Sequence, residues 1–158
     1  MGLIVGIDLG VKSDHDAIII RRETSKLVGK GLRFANTCAG RDTLFEHVVK
    51  LRDGDERVDF VIDSPGRAWM PLSALIKSKG FAVYRPTAVR VSKMRQAGDR
   101  NNKTNRIDAL ALARCLLNFP DETEEVFLAT GTQCTLDQLV RQRDPKRYDL
   151  LGQEIPSR

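Results

Sequence analysis

The chain opens with a short apolar run, Leu3–Leu9, closed by Gly10, the pattern of a buried strand. A second strand is expected over Asp16–Arg21, which holds three consecutive isoleucines, and the weaker alternation of Lys26–Phe34 suggests a third. Short turns would make these a meander. The period then changes. In Thr43–Arg52 the residues Leu44, Phe45, Val48, Val49 and Leu51 fall at helical spacing, Thr43 and Glu46 form a capping-box pair, and Gly54 follows as a stop. Val58–Asp63 is again a buried strand, broken by Ser64-Pro65-Gly66. Pro71 and Gly80 bracket a helix over about Met70–Lys79. Phe81–Arg85 is a fifth strand, stopped by Pro86. Thr87 can cap a helix to about Ala97, which Gly98 ends. Beyond the polar loop Asp99–Lys103, Thr104 can cap a helix over about Asn105–Asn118, apolar nearly all round and therefore largely buried.

The order β-β-β-α-β-α-β-α-α implies an α/β fold, a mixed five-stranded sheet with helices on both faces. Pro120 to Gly131 reads as an irregular link, and Thr135–Asp144 as a short helix ahead of Pro145.

Composition narrows the class. At 158 residues one domain is the default, and 41% hydrophobic residues argue against a disordered chain. Apolar stretches such as Ala17–Ile20 are far too short to cross a bilayer, and no signal-peptide pattern opens the chain. Cys38, Cys115 and Cys134 fit neither a disulfide framework nor a zinc pattern. A soluble cytoplasmic protein is the remaining expectation. The net charge of +5 is unevenly spread: residues 1–118 carry 21 basic and 13 acidic side chains, residues 119–158 carry 5 and 8. Within Arg85–Arg106 stand Arg85, Arg90, Lys93, Arg95, Arg100, Lys103 and Arg106, against one acid, Asp99. Such a block can attract a polyanion and release its counterions, or can simply be a solvated helix surface.

The carboxylates break that tie. Asp8 ends the first strand in "GIDLG" and Asp63 ends the fourth in "VIDSPG". Ligand sites in open α/β sheets lie beyond strand carboxyl ends, so the two converge if their strands are neighbours. Asp108 and Asn105, three residues apart, project from one face of the last helix's first turn. Three carboxylates and an amide suit magnesium, which takes hard oxygen ligands. Two such ions can hold the attacking and leaving oxygens of a phosphodiester. Taken singly, each acid also has an ordinary role: Asp8 or Asp63 opening a turn, Asp108 serving the helix dipole. His47 reads as structural, and Trp69 and Tyr84 as packing residues rather than platforms for bases.

The segments "GIDLGVKSDHDAII", "VIDSPGRAW", "FAVYRPTAVRVSKMRQAGDRNNKTNRIDALALA" and "LDQLVRQR" together resemble the DEDD-type insertion-sequence transposases, which include the Piv-type DNA invertases. The likeness spans most of residues 3–143 and is most specific over Lys103–Ala113. It implies a ribonuclease H-like (RuvC-like) N-terminal domain over 1–118, with 119–158 a link and a truncated helical extension. It further implies DNA as partner, a structured guide RNA in some members, homo-oligomers in the full-length family, no membrane, and Mg2+ or Mn2+ as cofactor. The family's four acids map to Asp8, Asp63, Asn105 and Asp108. Two depart from its pattern: Asp63 is one methylene shorter than the usual Glu, and Asn105 replaces an anion by a neutral ligand. The family's second domain carries a serine proposed as nucleophile, and this chain ends before it, so full strand exchange is not expected of the polypeptide alone. Two rivals remain. One is a nucleic-acid-binding or assembly module without chemistry. The other is a fragment of a sugar-kinase or heat-shock-type ATPase, whose first phosphate motif "GIDLG" also resembles but whose second glycine-rich loop is missing.

Overall fold

The computed structural model describes residues 1–10, 14–63, 69–97 and 105–128, with the backbone alone for Gln96, Ala97 and Asn105. The first apolar run forms β1 (Gly2–Asp8), and the isoleucine segment forms β2 (His15–Arg21), antiparallel to it. The segment expected as a third strand contributes only β3 (Leu32–Phe34) and a single bridge between Ile20 and Leu27. Backbone geometry explains the shortening. Ser25 and Gly29 both take positive φ (56° and 68°), which turns the chain out of an extended ladder.

Helix α1 (Cys38–Leu51) starts five residues before the capping box read from the sequence. Thr37 is the cap: its side chain accepts a hydrogen bond from the Gly40 N–H at 3.1 Å, while Thr43, inside the helix, donates its hydroxyl to the Ala39 carbonyl. Then follow β4 (Arg57–Asp63), α2 (Trp69–Ser78), β5 (Ala82–Pro86), α3 (Ala88–Ala97) and α4 (Asn105–Asn118), each within a residue or two of its expected bounds. The stretch expected as an irregular link instead makes a 3-10 turn (Pro120–Glu122) and a sixth strand, β6 (Thr123–Glu125). The helix expected over Thr135–Asp144 lies outside the described residues.

The sheet therefore has six strands rather than five, in the order β3-β2-β1-β4-β5-β6. β1, β4 and β5 are parallel neighbours, while β2, β3 and β6 run antiparallel to theirs. Period-two alternation sorts the side chains into two cores. Leu3, Val5, Ile7, Phe60 and Ile62 pack with Leu44, Phe45 and Val48 of α1 and Leu72 and Ile76 of α2. Ile4, Ile18, Ile20 and Val61 pack on the other face with Val91 of α3 and Leu112, Cys115 and Leu116 of α4. No helix among the described residues is long and apolar enough to cross a membrane.

Gly6 sets how closely α4 lies on the sheet. A β-carbon there would fall 2.0 Å from the Ala109 carbonyl oxygen and 2.8 Å from the Ala113 nitrogen, so the helix backbone rests directly on β1. Its first turn, with Asp108, thereby comes to the carboxyl end of β1.

Candidate functional site

β1 and β4 are neighbours, and Asp8 pairs in register with Asp63. Across β2 the partner of Asp8 is Asp16. Alternation turns all three toward the face covered by α3 and α4, the face on which Asp108 lies. Burial, followed by the negative charge of Asp108, raises the Asp8 carboxyl from 3.8 to about 6; Arg95 pulls it down, and Asp63 and Asp16 push it further up.

The acids on this face differ in their partners. Asp16, fully buried, accepts from Arg33 Nε at 3.4 Å and Nη2 at 3.2 Å. Asp59, at the opposite end of the sheet, is clamped between Arg22 and Arg57. Asp108 has Arg95 Nε 2.7 Å from its Oδ1. Asp8 and Asp63 have no ion pair with a described residue. A compensated acid is explained by the fold; an uncompensated pair at the ends of two adjacent strands is not. Asp16 was missed in the sequence. Part of the signal was available in "SDHDAIII": counting in twos from Ile20 and Ile18 places Asp16 on their face, while its place opposite Asp8 depends on strand register.

The fit to a divalent cation can be tested on these groups. Asp8, Asp63 and Asp108 offer hard oxygens and excess negative charge, and a cationic side chain, Arg95, already stands on one of them. They are not drawn to one point: among the described residues, no group of three or more His, Cys, Asp or Glu side chains is close enough to hold a metal ion. The donor atoms, their shared face and their charge are of the kind a hard cation takes, while their spacing among the described residues does not form a ligand cluster. For Asn105 only the backbone position is described, at the first residue of α4.

The basic block separates into distinct roles. Arg85 lies 4.5 Å over the Trp69 ring, packed toward the α2 face. Arg90 pairs with Glu122 and lies 4.5 Å over Phe119. Arg95 meets Asp108. Lys93 is exposed, and so is Arg106, whose guanidinium reaches the Gly31 carbonyl at 3.5 Å. Arg100 and Lys103 lie outside the described residues. Tyr84 packs against the α3–α4 core with its hydroxyl accepting from Arg57 at 3.0 Å, and His47 contacts the Lys30 carbonyl at 3.2 Å.

No curated protein matches the chain. A family of transposases, the DEDD type of the IS110 group, matches it over residues 5–147. The α/β sheet of six strands and four helices is consistent with the ribonuclease H-like fold of such enzymes. With the family model matching residues 5–147 and the fold consistent with it, the chain belongs to the DEDD-type IS110 transposase family.

Proposed function

We propose that this domain binds DNA along its backbone and acts on phosphodiesters with a divalent cation, Mg2+ or Mn2+, held by Asp8, Asp63 and Asp108 with Asn105 as a neutral fourth ligand. The observation that carries this reading is the in-register pair Asp8 and Asp63, neither in an ion pair with a described residue, on the face to which α4 brings Asp108. When bound, such an ion polarises a phosphoryl oxygen and favours an attacking hydroxide. The protein's own part is positional. β1 and β4 fix two carboxylates at one level, Gly6 lets α4 bring the third, and exposed basic side chains such as Lys93 and Arg106 fix the register of the phosphate backbone. The proposed setting is the cytoplasm, with DNA, a structured guide RNA and further copies of the chain as partners.

A second reading is favoured by Asn105, which removes one negative charge from the family's set of four: a nucleic-acid-binding or assembly module without chemistry. A magnesium titration with a nuclease assay on branched and single-stranded DNA separates the two. Mg2+-dependent cleavage that is lost in Asp8→Ala supports the catalytic reading. Salt-sensitive, metal-independent binding with no cleavage supports the module.

A further inference from the structure

The contact between Arg95 and Asp108 is unlike the other acid–arginine pairs on its face. Arg33 reaches Asp16 with two N–H donors, and Arg57 donates to Asp59 at 3.0 Å. Arg95 Nε comes within 2.7 Å of Asp108 Oδ1, yet that nitrogen is buried without a hydrogen-bond partner, so its N–H is not aimed at the oxygen. Attraction between charges holds this pair; directed bonding does not. The Arg95 side chain is 38% exposed and that of Asp108 12%, so the guanidinium has a way out to solvent while the carboxylate stays in place.

We infer that Arg95 is an exchangeable counter-ion, which neutralises Asp108 until a divalent cation is bound and then gives the carboxylate up to it. This rests on the proposal that Asp8, Asp63 and Asp108 hold such a cation. Charge and reach both favour such an exchange. Arg95 supplies one positive charge, which pairs with Asp108 and is felt through space at Asp8, while neither Asp8 nor Asp63 has an ion pair with a described residue. A doubly charged ion shared by all three acids discharges more repulsion than a guanidinium can. Arg95 therefore competes with the ion for Asp108, which lowers the affinity of the metal-free protein for metal. Arg95, placed by the sequence reading among the phosphate contacts, thus has a prior engagement with the acids themselves.

Calorimetric titration of the full chain with Mn2+ tests this, comparing wild type with Arg95→Gln, Lys93→Gln and Asp8→Asn. Lys93 is on the same helix, is exposed, and serves as the control for through-space charge. Arg95→Gln is expected to bind Mn2+ at least about five-fold more tightly, with Lys93→Gln within about two-fold of wild type. Unchanged or weaker binding by Arg95→Gln, or an equal gain in Lys93→Gln, overturns the exchange while leaving the metal centre standing. Equal binding by wild type and Asp8→Asn overturns the metal centre and the exchange with it. A measurement on the unaltered chain covers the case of a variant that does not fold. The Arg95 Nε–H resonance is expected to shift and to exchange faster with water on addition of Mg2+, and a resonance that stays put overturns the exchange.

Discussion

At the end of β1, Asp8 holds its proton far more tightly than a solvated aspartate, with burial as the first cause and the Asp108 charge as the second. The sign of the pH dependence follows. Below pH 3.8 the group is protonated folded and unfolded alike. Between 3.8 and about 6 the unfolded chain has released a proton that the folded one retains, so stability falls as pH rises through that window. Above it the cost is constant. Asp8→Asn is therefore expected to stabilise the metal-free protein at pH 7.5 by about 1–2 kcal/mol, allowing for solvent screening of a partly buried group. The gain should vanish near pH 3.5, and denaturant unfolding at the two pH values checks it. Asp8 and Asp63 were legible in the sequence because strand ends show as a change from apolar to polar residues. Their arginine-paired counterparts, Asp16 and Asp59, were not, because pairing across strands depends on register, and register is settled by turns whose geometry composition leaves open.

Elements whose apolar period ends at a proline or glycine were read almost to the residue: α2 ends just ahead of Gly80, and β5 ends at Pro86. Where a side chain set the boundary, the reading slipped. Thr37 caps α1 although the residues after it, Cys38 to Asp42, carry no apolar stripe to mark a helix. Thr43, three residues before Glu46, imitated a cap. β6 escaped notice because three residues pairing with β5 leave no periodic trace. The closeness of α4 to β1 was equally hidden, since it depends on a hydrogen atom at Gly6 facing the helix backbone. Gly6→Ala cannot be absorbed by a flexible neighbour, as the obstructing atoms belong to the backbones at Ala109 and Ala113. A loss of about 3 kcal/mol is expected, read from chemical denaturation, together with weaker Mn2+ binding as Asp108 moves outward.

Over the whole molecule the excess of positive charge survives internal pairing only in part. Arg85, Arg90 and Arg95 have work inside the fold, while Lys93 and Arg106 face solvent. Oligonucleotide binding measured against salt should resolve the difference. Lys93→Gln and Arg106→Gln are each expected to reduce the logarithmic salt slope by about one, the signature of one lost phosphate contact. Arg90→Gln should leave the slope unchanged and lower the thermal midpoint instead, since it strips Glu122 and Phe119 of their partner. The sheet's two margins have a consequence of their own. β3 and β6 are each three residues long, and β6 ends in Glu124 and Glu125. So brief a border gives a neighbouring molecule little backbone to zip onto. Copies of this protein that come together are therefore expected to meet through helices or loops, since strand pairing from one subunit into the next has little to build on at these described edges.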